Sequence, residues 1–173
     1  MGDGRRRSQI GMTLIEVLVS VLILGIGLLG AAAIQLNALK YTDSSAMSSQ
    51  ASFIAYDMMD RIRANVDGNA TNNGANVLAS YALASLSQAP AANPNNAVAQ
   101  DLADFSTNIT AFAGAAGANS KIVIAKPIVT ITITWDDTRA AGANQFALGA
   151  TSSATNPQQF VLSSQIGVNV VAP

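Results

Sequence analysis

Apolar positions along the chain change their pattern twice, from a continuous run to helical spacing and then to alternation. From Met12 to Ile34, 23 residues carry one charge, Glu16. As a helix this run spans ~35 Å at about 1.5 Å per residue, enough to cross a bilayer core. The pattern then becomes one-sided. Met47, Ala51, Ile54, Met58 and Ile62 are spaced by four, three, four and four, which makes an apolar stripe on a helix. Lys40, Asp43, Gln50, Asp57, Asp60 and Arg61 fall mainly on other faces. The first strong stop is the Asn- and Gly-rich stretch from Asn65 to Gly74, and the first proline is Pro90. One helix is therefore expected from Met12 to about Asn65, ~80 Å long, apolar all round at one end and amphipathic at the other.

Beyond it, a short helix is expected over Val77 to Gln88. Val98, Leu102, Phe105, Ile109 and Phe112 repeat by four, three, four and three, which predicts a second amphipathic helix over about 96–113, capped by Asn95 or Asn96. From Lys121 the period drops to two. Val129, Ile131, Ile133 and Trp135 alternate with Thr130, Thr132 and Thr134, giving a strand expected over about 122–135, with Pro127 at an edge or bulge. Asp136 to Arg139 reads as a turn. Phe160, Leu162, Ile166, Val168 and Val170 share parity and predict a last strand over about 159–171. The fold class is thus α+β: a long N-terminal helix packed on a small antiparallel sheet head, with one further helix.

Composition narrows the chemistry. The 173 residues include no histidine and no cysteine. The commonest general base, the thiolate ligands and any disulfide are therefore absent. Asp136 and Asp137 are adjacent and would point to opposite faces of a strand, so they make a poor catalytic pair. Asp101 and Asp104 are expected to be solvated on the second helix. Lys121, Lys126 and Arg139 are the only basic residues after Arg63, too few for a phosphate-binding surface. No catalytic, cofactor or metal residues are assigned.

The N-terminal run admits several readings. Arg5, Arg6 and Arg7 precede it, which favours a cytoplasmic N-terminus and an outward-facing remainder. A secretory signal peptide cleaved near Gly30 to Ala33 would share the basic start and the apolar run, but this run is long for one and Glu16 interrupts it. Gly25, Gly27 and Gly30 fit G-x-G-x-x-G, with Asp43 at 18 residues from Gly25. A dinucleotide site needs a strand before the glycines and a βαβ unit around them. A small-residue face for close helix packing fits better, with Gly27 and Ala31 four apart. The glycines also lower helix stability, so a bend or local unwinding is expected there.

The opening stretch "GMTLIEVLVSVLILGIG" resembles the class III signal of type IV pilins and type II secretion pseudopilins: a basic leader, a glycine, a hydrophobic residue, then a glutamate fifth in the mature chain. Gly11 matches the residue before the cut, Met12 the first mature residue and Glu16 the glutamate. Phenylalanine is commoner in the family where Met12 stands. Farther on, "AYDMMDRIRAN" resembles the A-Y-D-x-x-D-R-x-R-x-N pattern of PilV-type minor pilins, matched by Ala55, Tyr56, Asp57, Asp60, Arg61, Arg63 and Asn65. "VTITITWDD" is similar to a head strand of that subfamily. Two departures stand out: this chain lacks the disulfide-closed loop of many major pilins and the proline common in their N-terminal helix.

The resemblance implies a leader over residues 1–11 removed by a prepilin peptidase, N-methylation of Met12, a transmembrane and stalk helix over 12–65, and a head over 66–173. It implies a minor pilin with no enzymatic activity, which primes assembly of a type IV pilus or sits at its tip. Adhesion and twitching motility are among the processes such a pilus serves. The implied partners are the peptidase, other minor and major pilins, and the inner membrane. The implied location is the inner membrane with the head periplasmic, then the pilus at the cell surface. A pseudopilin of a type II secretion system and a signal-anchored extracytoplasmic binding domain remain open as alternatives. Removal of the leader would leave six basic and nine acidic side chains, so direct nucleic-acid binding is not expected.

Overall fold

The computed structural model describes residues 13–68, 74–137 and 157–166. The chain divides into two compact units, Met1–Leu39 and Lys40–Pro173. Helix α1, Leu14–Gly68, contributes to both. In the first unit no described side chain is buried, and large apolar residues from Leu14 to Leu39 stand exposed on every face. The helix is unbroken through Gly25, Gly27 and Gly30, so it is not unwound there. No βαβ unit surrounds these glycines, and the dinucleotide reading falls.

The second unit is α+β. Helix α2 is Gly74–Ser80 and helix α3 is Ala97–Ala113. Strands β1, Lys121–Ala125, β2, Ile128–Asp136, and β3, Pro157–Gln165, form one antiparallel sheet in the order β1-β2-β3. Short 3₁₀ turns occupy Leu86–Gln88 and Gly114–Asn119.

The single strand expected over 122–135 is two strands joined at Lys126 and Pro127. Ala125 pairs with Ile128 and Ile124 with Val129, so the two residues between them are a hairpin turn rather than an edge or a bulge. Pro127 has no N–H to give a ladder, and a turn is where that omission is cheapest. Similarly, the helix expected over Val77–Gln88 stops at Ser80. Leu83 then leaves helical geometry to pair with Ile122, donating its N–H to the Ile122 carbonyl at 2.9 Å and accepting in return at 2.8 Å. Asp136 is the last residue of β2 rather than the start of a turn. Val168 and Val170 lie outside the described residues.

One face of the sheet is the core. Ile122, Val129, Ile131, Ile133 and Trp135 are buried there with Leu102, Phe105 and Ile109 of α3. From α1 the same core takes Ala51, Ala55, Met58, Met59, Ile62 and Val66. The expected stripe is thus present but wider: Met47 and Ile54 are only partly buried at its margin, while Ala55, Met59 and Val66 join it. Asn96 caps α3 by accepting from the Ala99 N–H at 3.1 Å. Gly114 ends α3 with φ 56°, a conformation open to glycine at little cost. Gly117 is required for space, since a Cβ there would meet Ile109 Cγ2 at 2.6 Å. The turn it permits lets Thr134 bind Ser120 Oγ through its N–H and the Ala116 carbonyl through its hydroxyl, each at 3.0 Å.

Ile62 is fully buried at the centre of this core. Ile62→Ala is expected to cost ~2–5 kcal/mol, from lost transfer energy and the cavity left behind. The same change at Phe53, which is 73% exposed, should cost less than about 1 kcal/mol. Chemical denaturation of the full chain in detergent, followed by Trp135 fluorescence, measures both. Equal costs at the two positions would mean that the buried face has been misassigned.

Candidate functional site

Two groups of sequence-selected residues come out differently. The first is the N-terminal segment. Glu16 sits in the first turn of α1, where its carboxylate complements the positive end of the helix dipole. The carbonyl of Thr13 accepts from the Glu16 and Val17 N–H groups at 3.1 and 3.3 Å, and Ser20 Oγ donates back to the Glu16 carbonyl at 2.6 Å. The exposed apolar side chains Leu14, Ile15 and Val17 flank Glu16 in the chain, and Thr13, Val19 and Ser20 lie on its own face of the helix. Gly11 and Met12 lie outside the described residues. Helix α1 is long and apolar enough over its first part to cross a membrane, and none of that stretch is buried within the chain. A free-standing apolar helix with a carboxylate in its first turn needs both a low-dielectric surrounding and a partner for its charge.

Residues 6–32 match the prokaryotic N-terminal methylation motif. This match supports a type IV pilin-like protein. The pilin-like signal is a substrate for prepilin peptidase, it indicates a structural subunit rather than an enzyme, and with the apolar helix it fits anchoring in the inner membrane before assembly. No curated protein and no solved structure matches the chain.

The second group is the stretch Ala55 to Asn65, and here the structure supplies contacts that the sequence did not announce. Arg61 reaches three carboxylates. Its Nε donates to Asp57 at 2.9 Å, and one terminal nitrogen donates to Asp101 at 3.3 Å and Asp104 at 3.0 Å. Asp101 is therefore not solvated as expected, its side chain being 14% exposed, while the Asp104 side chain, 38% exposed, still meets solvent. Tyr81, fully buried, donates its hydroxyl to the other Asp101 oxygen at 2.6 Å and accepts from Asn65 Nδ2 at 2.8 Å. Gln100 donates to Asp104 at 2.8 Å. Arg63 bonds Asp60 at 3.1 Å and crosses to Ser164 of β3 at 2.7 Å.

Five of the seven motif residues, Asp57, Asp60, Arg61, Arg63 and Asn65, thus make polar contacts within the second unit, and Ala55 is core. Tyr56 is exposed. Burial works against the Arg61 charge, but its bonds to Asp101 and Asp104 and its pairing with Asp57 more than offset this and raise its pKa. The helical Asp57–Arg61 pair is half-exposed, and alone such a pair is worth about 0.3–0.5 kcal/mol. What matters more is that loss of Arg61 would leave Asp101 short of a partner in a mostly buried place. Among the described residues no cluster of acidic groups is arranged to hold a metal ion.

Burial raises the Tyr81 pKa well above its ordinary 10.0, and the bond to Asp101 adds to this. The neutral phenol is favoured in the folded state. Its contribution is fully present below pH ~10 and is lost as the unfolded chain begins to release that proton above this value. Unfolding midpoints of the full chain should therefore fall above pH ~10, and less steeply in Tyr81→Phe. At pH 7, Tyr81→Phe should cost ~1–3 kcal/mol through the lost hydroxyl bonds to Asp101 and Asn65. Identical alkaline slopes in the two proteins would exclude Tyr81 as the responsible group.

Proposed function

We propose that the chain is a minor pilin, a structural and assembly subunit of a type IV pilus that primes the filament or sits at its tip. The observation that carries this reading is the N-terminal methylation motif over residues 6–32, placed on an exposed apolar helix whose one early charge is Glu16. The likeness of Ala55, Tyr56, Asp57, Asp60, Arg61, Arg63 and Asn65 to a PilV-type pattern supports the minor-pilin reading over a secretion pseudopilin. In this reading residues 1–11 are a leader cut after Gly11, residues 12–65 are the membrane and stalk helix, and the remainder is the periplasmic head. Its partners are the prepilin peptidase and other minor and major pilins, and it passes from the inner membrane to the pilus.

The chemistry follows from the cut. Cleavage after Gly11 frees a positive amine on Met12. Glu16 is four residues on, so the two can pair along one helix face, or Glu16 can meet the amine of a neighbouring subunit. In apolar surroundings either unpaired charge costs several kcal/mol, so pairing between subunits both drives docking and fixes the axial stagger. Mass spectrometry of the mature protein should show a chain beginning at an N-methylated Met12. A mature start near Ile34 would assign the segment to an ordinary signal peptidase and overturn the pilin reading.

Glu16→Gln keeps the shape and removes the charge. Losing one partner of a buried pair costs ~3–5 kcal/mol, enough to keep a scarce subunit out of the filament. Processed protein should accumulate normally in the membrane, with little in sheared pili. Wild-type amounts of the variant in sheared pili would show that Glu16 has no part in assembly.

A further inference from the structure

The polar contacts of Arg61 have a geometric meaning that the apolar core cannot supply. Hydrophobic burial is non-directional, and the stripe on α1 is nearly periodic. Consider α1 displaced by one turn, about 5.4 Å, so that each residue takes the place of the one four positions later. The places of Ala51, Ala55, Met58, Met59, Ile62 and Val66 would then be filled by Met47, Ala51, Ile54, Ala55, Met58 and Ile62. Every buried place still holds an apolar side chain. The polar row behaves differently. Asp57 moves into the place of Arg61 and faces Asp101 and Asp104, while Arg61, still its partner one turn on, moves to the place of Asn65 beside Tyr81, so the site between the two α3 carboxylates is filled by a third carboxylate. Arg63 also leaves Ser164, and Asn65 leaves Tyr81.

We propose that Asp57, Arg61 and Asn65, on successive turns of α1, are a register lock that holds the helix at one axial position against α3 and Tyr81 and makes the neighbouring one-turn position repulsive. Single polar residues that fix helix register in an otherwise apolar contact are a known use of such groups. One-turn jumps of packed helices are likewise a known kind of transition. This role does not depend on the reading of residues 11–16.

The full chain in detergent serves for the test, since it has no native cysteine and two introduced cysteines can be spin-labelled without background. Ser48 and Ala64 of α1 are each paired with Thr107 of α3; all three are exposed. Wild type should give one narrow distance for each pair. Arg61→Met leaves Asp57 to meet Asp101 and Asp104 in the displaced register, so it should keep one distance for each pair, with helical circular dichroism retained. Asp57→Arg changes a half-exposed residue and offers a second guanidinium one turn away, so both registers are satisfied and two populations should appear. Single, undisplaced distances in Asp57→Arg would overturn the proposal. If Arg61→Met loses its helical signal, the Asp57→Arg distances alone decide.

Discussion

The head depends on a face of α1 that it does not itself provide. A sheet with one apolar face must bury that face against another element. Here α3 covers part of it, and Ala51, Ala55, Met58, Met59, Ile62 and Val66 cover the rest. Both the alanines and the larger Met58, Met59 and Ile62 of this face are fully or almost fully buried. The head is therefore not a domain with a helix attached. The helix is a layer of the domain.

The same helix meets two kinds of solvent. Up to Leu39 it presents apolar side chains on all sides, which is a stable arrangement only in lipid or among other helices. From Lys40 onward it has one buried face and one polar face, which suits a protein core bordering water. The boundary lies in the sequence rather than in the backbone, since the helical hydrogen bonding runs without interruption from Leu14 to Gly68. Glu16 is the exception inside the apolar half, and it falls within the methylation motif.

Much of this was legible in the sequence because periodicity reports burial. Helix α3, with its cap at Asn96, and the inward residues of β2 follow directly from spacing. The missed hairpin was also written there. Ile122 and Ile124 point inward with even numbers, Val129 and Ile131 with odd ones. A continuous strand cannot change parity, whereas a two-residue turn must, and the change falls at Lys126–Pro127. Leu83 was unreadable, because a single residue pairing across the sheet edge leaves no periodic trace. So was the partnership of Arg61 with Asp101 and Asp104, since charge pairing between residues 40 and 43 apart depends on how two helices are set side by side. The motif drew attention to Arg61 by likeness, and only the geometry explains what Arg61 holds. Glu16 is conspicuous in the sequence as one carboxylate in an apolar run, and it stands in the first turn of α1.

The composition of β2 bears on how the chain reaches its folded state. From Ile128 to Trp135 the strand is an uncharged run of isoleucine, valine, threonine and tryptophan, with Lys126 and Asp136 as the nearest charges. Such a segment pairs readily with copies of itself when its edges are open. In the finished sheet both edges are taken, by β1 and by β3. The first partner is two residues away and forms a hairpin at once. The second begins only at Pro157, so one edge of β2 stays open until the chain has emerged well past it. Pairing between copies through that edge is therefore a hazard of this protein's synthesis, confined to the interval before residues 157–165 arrive, and the completed sheet closes it.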